Sequence, residues 1–263
     1  MNEMKLINGD CIKEMEKLIE EGVKVDLTVT SPPYDTIRDY NGSLIWDFEV
    51  FKEVAKRLYE ITEKGGVVVW VVADKTINGS ESGTSFKQAL YFIELGFKLH
   101  DTMIYKKHNP VPNAGKRYQQ TFEYMFVFSK GKPKTTNILK RERRNECNDK
   151  RTHRIKKFTR GVDGEFTKPT YYEVKEEVPR DNIWTYKVGG GNSTKDKIAF
   201  KHPAIFPEEL AKDHILSWSN EGEIVFDPFL GSGTTGKMAK ILNRKFIGIE
   251  KVKEYYEIAI KRI

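Results

Sequence analysis

At 263 residues the chain can bury one substantial core with a modest appendage, and it needs no division into independently folding domains. No apolar run reaches the roughly 18 residues of a membrane span, and the opening Met1-Asn2-Glu3-Met4-Lys5 lacks the apolar centre of a signal peptide, so a cytoplasmic protein without membrane contact is expected. Lys and Arg (45) outnumber Asp and Glu (38) to give a net charge of +7, which favours a polyanionic partner, and the two cysteines, Cys11 and Cys147, have neither disulfide-framework nor metal-site spacing.

In chain order, Lys5-Leu6-Ile7 reads as a strand closing on Asn8-Gly9-Asp10, and a helix follows with Ile12, Met15, Leu18 and Ile19 at helical spacing. Val25 to Thr30 is a second strand. Phe48 to Ile61 is a helix whose apolar face is Phe51, Val54, Ala55, Leu58 and Ile61. Gly65-Gly66 then punctuates before Val67 to Val72, an apolar strand of the kind found at the centre of a parallel sheet. Beyond Asp74 lies a Gly/Ser-rich loop, Asn78 to Gly83, and then a helix from Ser85 to Leu95 ended by Gly96. Lys98 to Lys106 and Phe122 to Phe128 read as two strands joined by a polar loop.

From Ser129 to Val188 the periodicity degrades. Basic residues, among them Lys130, Lys134, Lys140, Arg141, Arg143, Arg144, Arg151 and Arg154, alternate with Phe158, Phe166, Tyr171, Tyr172, Trp184 and Tyr186. The stretch reads as an inserted recognition segment, with a solvated surface of a charged protein as the alternative. Regular character returns with a helix from Pro207 to Trp218, a strand Ile224 to Asp227, a helix Thr235 to Leu242, a strand Phe246 to Glu250 and a terminal helix. The expected fold is a doubly wound α/β domain with a mainly parallel sheet. Its stretches are 1–129 and 189–263, interrupted by an insertion at 130–188.

Two loops carry the chemistry, each leaving the carboxyl end of a strand, where open α/β sheets place ligands. Asp227-Pro228-Phe229-Leu230-Gly231-Ser232-Gly233-Thr234 has the form strand, Gly-x-Gly turn, helix. Its glycines let backbone pass under a ligand, and the helix offers N–H groups and a positive dipole end to an anion. Alone it could equally be a structural turn, but the next strand ends in Glu250, suited to two ribose hydroxyls. No Walker lysine follows the glycines, which disfavours a triphosphate loop. In Thr30-Ser31-Pro32-Pro33-Tyr34 the consecutive prolines forbid helix and central strand. Their carbonyls can accept from an amine, and Tyr34 offers a face for a heterocycle, as a base-flipping enzyme needs. A stiff turn with a buried Tyr is the plainer reading of these five residues, as a capping or core role is of His202.

Together with Asn8-Gly9-Asp10-Cys11, Lys201-His202-Pro203-Ala204-Ile205-Phe206-Pro207 and Gly248-Ile249-Glu250, these segments occur in one family's order. The chain resembles the S-adenosylmethionine-dependent DNA amino-methyltransferases, which modify N4 of cytosine or N6 of adenine, in the permuted arrangement with the catalytic motif before the cofactor motif. The resemblance covers most of the chain outside 130–188. It implies a Rossmann-like methyltransferase fold, S-adenosylmethionine as methyl donor and duplex DNA as substrate. Asp10 would contact the cofactor's adenine and Glu250 its ribose. Gly231, Ser232, Gly233 and Thr234 would wrap the methionine portion with Asp227 and Thr30 close by, Phe229 would pack near the adenine, and His202-Pro203 would close the pocket. Ser31, Pro32, Pro33 and Tyr34 would hold and stack the target base.

The mechanism so implied is direct in-line transfer to an amino nitrogen whose lone pair is localised by acceptors at Ser31 and Pro32. It uses no metal and no cysteine nucleophile, and neither Cys11 nor Cys147 has the setting that methylation of cytosine carbon 5 requires. In the family Ser before the prolines is commoner among cytosine N4 enzymes, and an acidic residue or Asn among adenine enzymes, so Ser31 favours N4 of cytosine with N6 of adenine as the alternative. Methylation of RNA or of a protein amide is a more distant rival, and a DNA-binding module with a degenerate cofactor site another. Arg38, Tyr40, Lys107, Arg141, Arg143, Arg144, Arg151 and Arg154 are the expected DNA contacts. A restriction-modification setting is expected, with a partner nuclease acting separately and the protein a monomer or homodimer.

Overall fold

The computed structural model describes residues 3–33, 46–110, 117–142, 154–157, 160, 164–166, 170–173, 176–189, 191–205 and 207–263, with backbone alone in 154–157 and 170–173. In chain order the elements are β1 (Met4–Asn8), α1 (Cys11–Glu20), β2 (Val25–Thr30), α2 (Phe48–Ile61), β3 (Thr62–Val72), β4 (Thr76–Ile77), β5 (Ser80–Glu81), α3 (Thr84–Glu94), β6 (Lys98–Lys107), β7 (Phe122–Ser129), β8 (Lys140–Glu142), β9 (Arg154–Lys157), β10 (Thr170–Glu173), β11 (Glu177–Pro179), β12 (Ile183–Tyr186), a 3₁₀ turn (Lys197–Lys201), α4 (Glu208–Trp218), β13 (Ile224–Asp227), α5 (Thr234–Ile241), β14 (Lys245–Glu250) and α6 (Lys253–Arg262).

Eight strands form the main sheet in the order β1-β14-β13-β2-β3-β7-β6-β12. Pairing is parallel throughout except where β7 runs antiparallel between β3 and β6. From β13 the chain passes to β14 on one side, whereas from β2 it passes to β3 on the other. The centre of the sheet is therefore a topological switch point, and a crevice forms outside the strand ends there. Helices α1, α2 and α3 pack in sequence with one another, as do α4, α5 and α6, giving a doubly wound sandwich.

Its stability comes from apolar burial. Phe51, Leu58 and Ile61 of α2 meet Trp70 and Phe128 of the sheet and Phe92 of α3, all fully buried. The Trp70 indole N–H, which would be costly to bury alone, donates to Gln88 Oε1 at 2.8 Å.

Several elements depart from the sequence reading. Gly65-Gly66 does not precede a strand but lies inside β3. Gly65 adopts φ +82°, a Cβ on Gly66 would meet Thr62 Cγ2 at 2.8 Å, and the two glycines exchange backbone hydrogen bonds with Lys130. The pair is thus a bulge that keeps the strand paired. The chain forms two compact units, Met1–Asn137 with Asn182–Ile263 and a small unit Ile138–Asp181, a narrower insertion than 130–188. Lys130 and Lys134, counted in the basic block, are anchors of the main unit. Lys130 Nζ donates to the Tyr59 and Thr62 carbonyls at 2.6 and 3.0 Å, and Lys134 pairs with Asp26. At the other boundary, Ile183–Tyr186 is the edge strand β12 of the main sheet, burying Trp184 and Tyr186 on alternate positions. The small unit contains two antiparallel pairs, β8 with β11 and β9 with β10.

Phe51→Ala should destabilise the protein by about 3–5 kcal/mol, because the ring fills a void between Phe92 and Trp70 that cannot close. Urea unfolding measures it, and a loss below about 1 kcal/mol would place Phe51 outside the core.

Candidate active site

The carboxyl ends of β1, β14, β13 and β2 open onto a cavity of about 760 Å³, a size that takes a cofactor-sized ligand. Asp10, Ser31, Pro32, Pro33, Lys107, His202, Pro203, Phe229, Gly231, Ser232, Thr234 and Glu250 line it. Segments far apart in sequence meet there because β13 pairs with β2.

That junction is reinforced by side chains. Thr30 Oγ1 donates to Asp227 Oδ1 at 2.7 Å, joining the end of the proline segment's strand to the start of the glycine loop. Asp227 Oδ1 also accepts from the Phe229 amide at 3.1 Å, which turns the chain out of β13. Thr30, Asp227 and Gly233 are therefore supports behind the cavity wall rather than lining residues. Burial pushes the Asp227 carboxyl up to about 7, a rise opposed by its hydrogen bonds and reinforced by the nearby Glu250 charge.

The glycine loop is fixed to its neighbour strand. Leu230 N–H donates to the Ile249 carbonyl at 2.9 Å, and the Gly231 amide to Glu250 Oε2 at 2.8 Å. Glu250 Oε1 accepts from the Val252 amide at 2.8 Å. Burial raises the Glu250 pKa, opposed by these backbone hydrogen bonds. Gly231 has φ +52°, which favours glycine. A Cβ there would lie 3.1 Å from His202 Nε2, so the space it would invade belongs to the imidazole forming the facing wall. His202 Nδ1 lies 2.7 Å from the Ala204 carbonyl oxygen, and its ring stands edge-on to Tyr255 at 4.4 Å, a wall-building arrangement.

Asp10 caps α1, accepting from the Ile12 amide at 3.2 Å through Oδ1, while Oδ2 pairs with Lys251 at 3.3 Å. Phe229 is held edge-on by Trp46 at 5.3 Å and Trp70 at 6.2 Å. Lys107 lines the cavity and is paired with Glu123 at 2.7 Å. Burial pushes the Cys11 thiol up to about 12, which leaves no thiolate there. Among the described residues there is no cluster of three His, Cys, Asp or Glu able to hold a metal ion, and no helix is long and apolar enough to cross a membrane.

Tyr34, Arg38, Tyr40, Arg143, Arg144 and Arg151 lie outside the described residues, as does the Arg154 side chain. Arg141 is in the small unit, 3.7 Å from Asp181 and donating to the Glu142 carbonyl at 3.3 Å. Sequence reasoning missed Trp46, which sits in a run without periodicity, and Arg262, whose place in the last turn of a helix looks like ordinary dipole complementation.

The raised Asp227 pKa has a consequence for stability. Between the ordinary carboxylate value of 3.8 and about 7 the folded state holds a proton that the unfolded chain releases. Stability contributed here is therefore present at low pH and lost as pH rises through that window. Urea unfolding of wild type and Asp227→Asn from pH 4 to 8 should show their difference shifting against wild type by at most about 4 kcal/mol and levelling above pH 7. A pH-independent difference would mean that Asp227 is ionised throughout.

Comparison with known proteins gives three findings. A family model described as DNA methylase matches residues 25–261. The orphan methyltransferase M.BamHII of Bacillus amyloliquefaciens is 59% identical over 240 residues, 91% of this chain and 88% of that protein, and the type II methyltransferase M2.DpnII of Streptococcus pneumoniae is 30% identical over 281 residues, 100% of this chain and 90% of that one. Among solved structures, the PvuII DNA methyltransferase (cytosine-N4-specific) superposes with a TM-score of 0.70 at 18% identity, covering 100% of this chain and 86% of that one.

Proposed function

Because the chain belongs to the N6/N4 DNA methylase family, we propose that it transfers a methyl group from S-adenosylmethionine to the exocyclic N4 amino group of a flipped cytosine in duplex DNA. The observation that carries this is the shared cavity, in which Glu250 and the glycine loop face the Ser31-Pro32-Pro33 segment.

The residues present fit the cofactor. Gly231 and Ser232 form a shallow cradle that a side chain at Gly231 would disturb, Glu250 and Asp10 bring carboxylates suited to ribose and adenine donors, and Phe229 supplies an apolar edge. Bound there, S-adenosylmethionine supplies an electrophilic methyl group. The protein's part is positioning: Ser31 and the Pro32 carbonyl accept from the amino group, which localises its lone pair, and Tyr34 stacks on the base. The raised thiol pKa of Cys11 agrees with a path that needs no cysteine nucleophile.

Ser31 before the two prolines supports cytosine over adenine, since the family covers both amino groups. Basic side chains of the small unit, with Arg38, Tyr40 and Lys107, are assigned to DNA contact. The relative named a type II methyltransferase supports a restriction-modification setting.

Nucleoside mass spectrometry of DNA treated with the purified protein tests this reading. N4-methylcytosine is expected. N6-methyladenine alone would overturn the base assignment, and 5-methylcytosine would overturn the mechanism.

Two substitutions should separate the walls of the site. Glu250→Gln should weaken S-adenosylmethionine binding by about tenfold to a hundredfold, through loss of charge-assisted hydrogen bonds. Ser31→Ala should lower kcat by roughly tenfold to a hundredfold while calorimetric cofactor affinity stays within about twofold. Equal effects of the two on both readouts would contradict the division of roles.

A further inference from the structure

Beneath the glycine loop lies an ionic network of one buried and three half-buried side chains to which no role has been given. The Arg262 side chain, near the end of α6, is 1% exposed. Its Nη1 donates to the Ser232 carbonyl at 2.6 Å, to Ser232 Oγ at 3.0 Å and to Thr234 Oγ1 at 3.3 Å. Nε reaches Asp196 Oδ2 at 3.2 Å, and Nη2 reaches Glu208 Oε1 at 2.9 Å. Lys237 of α5 closes the square, at 2.7 Å from Asp196 and 2.8 Å from Glu208. Two cations and two anions balance, so the buried guanidinium is neutralised without being diverted from the loop.

Ser232 lines the cavity from the front and is held from behind by a single guanidinium nitrogen. The Gly231 side of the loop is fixed by Glu250 and the Ile249 carbonyl, and on the other side, among the described residues, the Gly233 amide donates to the Leu230 carbonyl at 2.8 Å and Arg262 donates to Ser232 and Thr234. Gly233 before α5 has φ +83°, and α5 carries no side-chain cap. The Arg262 hydrogen bonds to Ser232 and Thr234 brace this turn from behind. The planar fork of arginine reaches the loop through Nη1, Asp196 through Nε and Glu208 through Nη2 at once, which the point charge of a lysine does not reproduce.

We propose that Arg262 is a positioning residue for the cofactor, holding Ser232 and Thr234 in the geometry that receives S-adenosylmethionine. This rests on the methyltransferase reading above. Arg262 touches no cavity surface, so its effect falls on cofactor affinity and spares DNA affinity.

The test compares wild type with Arg262→Lys by calorimetry with S-adenosylmethionine, by steady-state kinetics and by thermal melting without ligand. Arg262→Lys should raise the cofactor Kd and KM by about tenfold, while KM for DNA and kcat at saturating cofactor change less than about threefold. Cofactor affinity within twofold of wild type in a folded Arg262→Lys protein would overturn the proposal, as would equal rises in KM for cofactor and for DNA. If Arg262→Lys does not fold, Asp196→Asn decides, since it loosens the guanidinium but retains it. A Kd raised about threefold supports the proposal, and an unchanged Kd overturns it. Wild type that binds no S-adenosylmethionine would instead sink the cofactor reading, whatever the variants do.

Discussion

The whole arrangement depends on β13 being held against β2. Only two residue pairs, Val225 with Leu27 and Phe226 with Thr28, are in register between these strands, a short ladder for the centre of an eight-stranded sheet. Side chains extend it at both ends. Asp26 Oδ2 accepts from the Ile224 amide at 2.7 Å where the pairing begins, and Thr30 donates to Asp227 where it ends. Thr235 Oγ1 adds a bond to the Val29 carbonyl at 3.2 Å, tying the first turn of α5 to β2. These contacts span about two hundred residues of chain and set the distance between the two loops that carry the chemistry. A buried Asp227 is an electrostatic burden in this position, and the rise of its pKa toward 7 reflects it. The same carboxyl joins both motifs, which explains why an ionisable group sits where an apolar residue would pack more stably.

Long periodic elements and the two motifs were legible in the sequence because each rests on local physics. The helix at Phe48–Ile61 has one continuous apolar face, and the proline pair and the glycine turn restrict the backbone wherever they occur. The apolar β-branched runs before each motif also place both loops at strand ends. What stayed hidden depends on partners distant in sequence. Strand β12 is four residues long, and its Trp184 and Tyr186 are buried because β6 lies beside them and His214 and Asp213 of α4 meet them, so in isolation they resemble the aromatics of a binding surface. Gly65-Gly66 reads as a break, since nothing local shows that Lys130 supplies backbone bonds across the bulge. Lys130 and Lys134 count toward a basic patch until their carbonyl and carboxylate partners are seen.

The site's electrostatics show the same division. Glu250 was legible as an acidic strand end, but its grip on the Gly231 amide was not, and that contact makes the carboxylate part of the glycine loop's own architecture. Gly231 was legible as a close-approach glycine. Its Cβ direction faces His202, so the glycine is needed to let two protein walls approach as well as to admit a ligand. His202 thereby has a role in shape.

A crystal structure of the protein with S-adenosylhomocysteine tests the central claim most directly, namely that the β13–β2 junction brings cofactor and target-base loops into one cavity. The account predicts ribose hydroxyls at Glu250, the amino-acid portion against Ser232, and the sulfur facing Ser31 and Pro32. Ligand bound outside this cavity, or bound within it with its sulfur turned away from the proline segment, would contradict it.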